Sequence, residues 1–257
     1  MWDNFILNPM INVLLLIYDY MGDNFGIAII LFTALMRLLT YPLTASSMRS
    51  TQKMQELQGS KRWQDIQKKH KDNKQKIQEE QMKMYKEVGF NPLGGCLPTL
   101  IQFPVIIGLY QSIINVMASG PIQLLNLSNR LYSFVPSALI PLNSHFLWMD
   151  LGEPERLFLP FLPDFGIPVL TIVVVITSYL STKMTAVPSA DGGQGAQMTQ
   201  MMGIYMPLLM GYLAYTYSSG LALYFVTSNV LGIAQNVAMG RVNFKEMFTF
   251  KLPGKKS

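Results

Sequence analysis

Five stretches of this sequence, 26–44, 96–118, 166–184, 201–217 and 221–239, are apolar over nearly their whole length and contain no aspartate or glutamate. About 20 such residues in a helix cover a 30 Å hydrocarbon core. Backbone amides immersed in lipid are satisfied only within a helix or a closed barrel. Runs of this length therefore read as helices, and the chain as an all-α, polytopic integral membrane protein with a five-helix transmembrane core. Charged residues make up 14% of the chain, against about 25% in soluble domains. The last two runs are separated only by Ser218, Ser219 and Gly220, which reads as a tight helical hairpin. A further apolar stretch, 5–21, is interrupted by Pro9, Asn12 and Asp19. Its Ile11, Leu14, Leu15 and Tyr18 recur at helical spacing, so it reads as an interfacial amphipathic helix, with a sixth span as the alternative.

Charge placement orients the spans. Arg49, Lys53, Lys61, Arg62, Lys68, Lys69, Lys71, Lys74, Lys76, Lys83 and Lys86 fall within 45–90, and Arg241, Lys245, Lys251, Lys255 and Lys256 follow the last run. Lys183 ends the third run on the same side. Of the 20 basic residues, only Arg130 and Arg156 lie opposite, and Arg37 lies within the first run. The positive-inside rule then places the N-terminus outside and the C-terminus in the cytosol, as an odd number of spans requires. The acidic start, with Asp3 and no preceding basic residue, reads as a segment left on the outer surface rather than a cleaved signal. Trp2 and Trp148 suit an outer interfacial belt.

Residues 47–88 lack proline and are rich in Gln, Lys, Glu and Met, all good helix formers. Trp63, Ile66 and His70 in one half, and Ile77, Met84, Tyr85 and Val88 in the other, recur in helical steps. Asp72-Asn73 is the favoured reversal, and Gly59-Ser60 interrupts the first arm. The expectation is a cytosolic helical hairpin. Its bland reading is a solvated linker that sets topology; its functional reading is a docking arm for incoming polypeptide, anionic lipid or ribosomal RNA.

Arg37 lies seven residues before Thr44, roughly 10 Å inside the first span. An arginine at such depth costs between about 3 and over 10 kcal/mol. No span offers a carboxylate. The polar side chains available are neutral: Thr33 and Thr40 on the face of Arg37, Thr99, Gln102, Gln111 and Asn115 in the second span, and Thr227, Ser228, Asn229, Gln235 and Asn236 in the fifth. Such groups can line a wet cavity but cannot neutralise a cation. Arg37 thus reads as facing water between helices, with snorkelling to the cytosolic headgroups as the alternative. A cationic cavity needs an anionic visitor, either an anion in transit or an acidic stretch of another polypeptide. Physics alone does not choose between them.

The run from Met82 to Pro104, centred on Asn91-Pro-Leu-Gly-Gly-Cys-Leu-Pro98, closely resembles the YidC family of membrane protein insertases, which includes the mitochondrial oxidase-assembly and chloroplast Albino homologues. Ser219-Gly-Leu-Ala-Leu-Tyr-Phe-Val-Thr-Ser-Asn229 is a second match, and Arg37 with Tyr41-Pro-Leu43 a third, in the family's order across 26–240. The resemblance implies a groove open to cytosol and lipid and closed outside, with Arg37 in it beside Thr33, Gln102 and the start of the fifth span, where Ser228 and Asn229 lie. Ser218 stands where the family usually has proline, and Phe225 where Tyr or Trp is common, leaving Tyr224 as the nearby hydroxyl. Also implied are a bacterial plasma-membrane location and, as partners, nascent membrane proteins with acidic or polar outer tails and a Sec-type translocon; anionic lipids and a ribosome met by the hairpin and tail are expected from charge alone.

The expected organisation is an outer-surface helix (1–25), a first span (26–44), the hairpin (45–94), four further spans over 95–240 with an outer loop at 119–165, and a basic cytosolic tail (241–257). The expected function is insertion and folding of newly made membrane proteins, with an anion transporter or channel as the alternative. No cofactor or metal is expected: Cys96 is the one cysteine, His70 and His145 lie far apart, and no phosphate-binding Gly-x-x-x-x-Gly-Lys-Ser/Thr loop occurs. An intramembrane enzyme would need carboxylate or Ser–His pairs that the spans do not contain. Gly94-Gly95 read as ending the hairpin, Cys96 as a small packing residue, and Pro98, Pro104 and Pro207 as kinks.

Overall fold

A computed structural model describes residues 1–70, 73–87, 97–117, 120–136, 142–159, 162–185 and 194–239. A π-helical turn, Asp3–Leu7, leads into α1, Asn8–Tyr20. Gly22 and Asp23, both at positive φ, reverse the chain, and the Asn24 side chain accepts a hydrogen bond from the Ile27 amide at 3.0 Å to begin α2, Phe25–Gly59. At 35 residues α2 is roughly 50 Å long, so it passes through Pro42 and continues well beyond its apolar part. The hairpin expected to begin at 45 therefore shares its first stretch with the first span. Good helix formers on both sides of residue 44 give the chain no reason to stop there.

The break comes at Gly59-Ser60. Ser60 is extended and caps α3, Lys61–Lys69, by accepting from the Trp63 amide. Asn73 caps α4, Lys74–Glu87, through the Lys76 amide at 3.1 Å. Trp63, Met84 and Tyr85 are buried, and Arg62 donates to both Glu87 oxygens at 2.6 and 3.0 Å. The hydrogen bonds from Arg62 hold the Glu87 carboxyl below its ordinary range. Both partners are exposed, so the pair fixes register more than it stabilises. Asp72, Gly94-Gly95, Cys96 and the tail 241–257 lie outside the described residues.

Four helices follow: α5, Leu97–Val116; α7, Val169–Thr185; α8, Gln194–Thr216; and α9, Ser219–Ala238, with a short α6, Pro121–Ser128, after α5. Pro98 lies close to residues outside the described ones, and Pro104 lies inside α5. Among the described residues, Phe25–Ser50 and Ser219–Ala238 are long and apolar enough to cross a membrane, while Gln102–Val116 and Val169–Met184 are apolar but shorter. α7 packs on both α8 and α9, α2 runs along α9, and α5 packs against α1, α2 and α9. Phe25, Ile29, Phe32, Leu109, Ile113 and Leu221 form the centre of the core.

The segment between α6 and α7, expected as part of the outer loop, departs from an all-helical expectation. It holds two antiparallel hairpins, β1 His145–Phe146 with β2 Met149–Asp150, and β3 Leu157–Leu159 with β4 Leu162–Ile167. β1, β2 and β3, of two or three residues, are too short to leave a periodic pattern, and Pro163 and Gly166 interrupt β4. Residues 166 and 167, expected in the third span, belong to β4; Pro168 disfavours a helical conformation for its predecessor, so the helix begins at Val169. α1 buries the face that the sequence marked: Ile11, Leu14, Leu15 and Tyr18, at helical spacing, are all buried, and the helix packs on α2 and α5.

Asn12 joins these parts. It is fully buried, donates to Asn8 O and Arg130 O at 2.7 and 2.9 Å, and accepts from the Tyr132 amide at 2.7 Å. Asn12→Leu would leave the Tyr132 N–H and the Arg130 carbonyl unpaired, at about 1–3 kcal/mol each. The detergent-solubilised variant is expected to unfold at a clearly lower temperature and to be cut faster by protease near residue 130. An unchanged midpoint would contradict this role.

Candidate functional site

Arg37 leaves α2 sideways and crosses to α9. Its Nη2 donates to Ser228 O at 2.6 Å and to Ser228 Oγ at 2.9 Å, and its Nε reaches the same hydroxyl at 3.2 Å. Ser228 is the tenth residue of the 20 in α9, so the guanidinium sits midway along that helix. This geometry differs from a snorkelling arginine, whose side chain would run along α2 toward residue 44. Among the described residues Arg37 makes no ion pair; the pairs present are Arg62–Glu87, Lys83–Glu80 and Arg130–Asp3. Gly232, one turn beyond Ser228, makes the approach possible. A Cβ there would lie 3.1 Å from Nη2 and 3.3 Å from Nη1.

Two cavities meet at this guanidinium. The first, about 80 Å³, is bounded by Thr33, Arg37, Thr40, Thr44, Gln102, Tyr224 and Ser228. Its walls join these polar groups to Met36, Leu43 and Val105, and its volume suits a few water molecules, each of which takes roughly 30 Å³ in the liquid. The second, about 250 Å³, lies between α5 and α8, with Arg37, Gln102, Ser178, Met206, Met210 and Asn229 among its walls. Four of the residues singled out from the sequence, Thr33, Gln102, Tyr224 and Ser228, thus meet at the first cavity with Arg37. Gln102 donates to the Tyr224 hydroxyl, joining α5 to α9. Thr33 donates inward to Ile29 O at 2.6 Å and shows the cavity little more than a wall. Asn229 shares the second cavity with Arg37 and donates to Ser178 Oγ at 2.8 Å and Thr177 Oγ1 at 3.3 Å, tying α9 to α7.

Other polar residues separate from the site. Gln111 accepts from Trp2 Nε1 at 2.7 Å, and Asn115 donates to Gln111 O, both on the α1 side of α5. Trp148 donates to Glu155 at 3.0 Å. The sequence reading passed over the third span, yet Ser178, Ser181 and Thr182 all line the second cavity. Their spacing of three and four residues in an apolar run was the available signal. Thr44 and Gly232 were passed over as well.

The family model for the 60Kd inner membrane protein matches residues 16–246. The membrane protein insertase YidC of Syntrophobacter fumaroxidans is 35% identical over 243 residues, covering 93% of this chain and 38% of that protein. The membrane protein insertase MisCA of Bacillus subtilis is 33% identical over 239 residues, covering 91% of this chain and 77% of MisCA. A crystal structure of an active YidC insertase with its first transmembrane domain resolved superposes with a TM-score of 0.54 at 28% identity, covering 86% of this chain and 43% of that one. The chain thus spans about two fifths of the length of the Syntrophobacter relative.

A hydrogen bond to a charged group contributes about 1.5–3 kcal/mol. Ser228→Ala is therefore expected to lower the thermal midpoint, and Ser228→Thr to restore most of it, because Arg37 loses a hydroxyl acceptor only in the first. Equal midpoints for both variants and the parent would mean that the hydroxyl is not used.

Proposed function

The chain belongs to the 60Kd inner membrane protein family, and from that premise we propose that it is a membrane protein insertase working through the cavities beside Arg37. One observation carries the reading: a guanidinium bonded, among the described residues, only to neutral groups, midway along an apolar helix and between two cavities. The names of the relatives support insertion and give no support to anion transport. No nucleotide site is needed in this scheme.

The mechanism is a lowered barrier. A carboxylate at the bilayer centre costs about 2.5–3.5 kcal/mol on insertion scales. A guanidinium 4 Å away returns about 4 kcal/mol at the effective dielectric of protein sites. One arginine is therefore enough to offset one acidic residue of a substrate's outward-going tail. Water in the first cavity shortens the dry distance still to be crossed. The membrane potential favours outward movement of the tail by about 2.3 kcal/mol per charge per 100 mV. The substrate's apolar segment then moves sideways into lipid, and its burial drives the process forward.

In this scheme the hairpin, α3 and α4, faces the cytosol with the basic tail. It recruits incoming polypeptide and meets anionic headgroups or a ribosome through charge, and a Sec-type translocon is a further partner. The N-terminus lies outside and the C-terminus in the cytosol.

Arg37→Ala is expected to slow insertion of substrates with acidic tails by about tenfold or more, since each 1.4 kcal/mol is a factor of ten. Arg37→Lys should keep most of the activity, because the charge matters more than the fork. The assay is protease protection of the tail in proteoliposomes holding the full chain. Equal rates for Arg37→Ala and the parent would remove the electrostatic role.

A further inference from the structure

The donors of the Arg37 guanidinium are not all spent. Nε and Nη2 donate to Ser228, whereas Nη1 donates to no group among the described residues. Nη1 rests against Gly232, where a Cβ would lie 3.3 Å from it. Two turns beyond Ser228, on the same face of α9, the Gln235 Nε2 atom is buried and has no hydrogen-bond partner. A buried donor left unpaired has lost its hydration with nothing in return. Both loose ends on this face are donors, so the group that completes them is an acceptor.

The walls do not supply a charged one. Thr33, Thr40 and Thr44 each turn the hydroxyl proton back to a carbonyl of α2, at 2.6, 2.8 and 2.9 Å. Their oxygens can still accept a hydrogen bond, but they carry no charge. Gln102 spends its amide on Tyr224. Among the described residues, no acidic side chain lines either cavity at Arg37. Water satisfies loose donors yet leaves the positive charge uncompensated.

Size and charge narrow the acceptor further. The first cavity follows α2 from Thr33 to Thr44, roughly 16 Å, and so reaches the end of the apolar run. At about 80 Å³ it takes a compact ion with a water or two. The guanidinium brings a single positive charge. A divalent oxyanion would leave a net negative charge at the same depth and would need more N–H groups than Nη1 and Gln235 offer. A compact monovalent anion matches the charge, the donors and the space together.

Resting on the insertase reading above, we infer that Arg37 holds a small monovalent anion of the halide class at Nη1 between substrates, and that a substrate carboxylate enters by exchange with it. The exchange replaces one negative charge by another, so the guanidinium is at no stage left bare. A carboxylate fixed to a neighbouring helix could not leave; a halide returns to water and recovers its hydration. The halide is therefore a competitor of acidic substrates at this site.

The test uses the full chain in detergent, titrated with chloride at constant ionic strength made up with gluconate, an anion too bulky for the first cavity. The thermal midpoint of the parent is expected to rise with chloride and saturate, which gives a dissociation constant. Arg37→Gln should show no saturable rise. Gln235→Leu keeps the charge, removes the second loose donor and should weaken the constant severalfold. Crystals grown in bromide should show an anomalous peak within hydrogen-bond reach of Nη1. In proteoliposomes with the same salt on both sides, chloride at that constant should lower insertion of an acidic-tailed substrate to about half its rate in gluconate. A neutral-tailed substrate should be unaffected. An equal saturable rise in Arg37→Gln, or bromide crystals without a peak at Nη1, would overturn the inference. Acidic-tail insertion at one rate in both salts would overturn it too and leave the insertase reading standing. Saturable anion binding at Arg37 in a chain that inserts neither substrate would keep the anion site and remove the exchange together with the insertase reading.

Discussion

The contact between Arg37 and the middle of α9 sets the conditions for the rest of the bundle. The Ser228 carbonyl that receives Nη2 at 2.6 Å is also the acceptor for the helix's own amide one turn on, at Gly232. A Cβ at 232 would lie 3.1 Å from Nη2 and crowd the guanidinium itself, and glycine there lets the guanidinium reach that oxygen. A charge this deep is tolerated only with hydrogen bonds, water or both. Ser228 supplies the first and the polar walls around Thr40, Thr44 and Gln102 provide room for the second. The α2–α9 packing is therefore polar at its centre, and the apolar core of Phe25, Ile29, Phe32 and Leu221 is concentrated toward the other end of α2.

That end is closed by the segment between α5 and α7. Ser219 N donates to Glu153 O at 2.7 Å, Gly220 N donates to Leu151 O at 3.0 Å, and the Ser219 hydroxyl donates to Glu153 O at 2.8 Å. The first amides of α9, which no helix satisfies internally, are thus taken up by loop carbonyls. Glu155, almost fully buried, accepts from the Leu170 amide at the start of α7 and from the Trp148 indole. A carboxylate at a helix N-terminus is favoured by the helix dipole. One short segment thereby ties the starts of α7 and α9 together.

Much of this was legible in the sequence because it rests on long periodic signals. The length of the apolar runs, the missing carboxylates and the isolated Arg37 depend on composition alone. The direction in which polar side chains point does not. Gln102 and Gln111 sit in the same apolar run, and nothing local says that one bonds Tyr224 across the bundle while the other bonds Trp2 on the far side of α5. The outer hairpins were illegible for a different reason. Strands of two or three residues are held by where their ends are anchored, at Ser219 and Leu170, rather than by their own pattern. Asn12 read as an interruption in an amphipathic helix, whereas its three hydrogen bonds make it the joint between that helix and the outer segment.

The neutrality of Arg37's partners bears directly on how the proposed insertase would turn over. A carboxylate partner would hold the guanidinium in a buried ion pair, and breaking such a pair costs about 3–5 kcal/mol. A substrate carboxylate arriving with about 4 kcal/mol of attraction would then gain almost nothing by displacing it. Neutral acceptors leave the guanidinium's charge uncompensated within the chain, so the same visitor keeps its attraction as a gain without an internal ion pair first being broken. That gain must also stay small, because a substrate bound too tightly would not move on into lipid. A lone arginine on neutral acceptors meets both requirements: strong enough to draw one acidic residue inward, weak enough to release it when the apolar segment finds the bilayer.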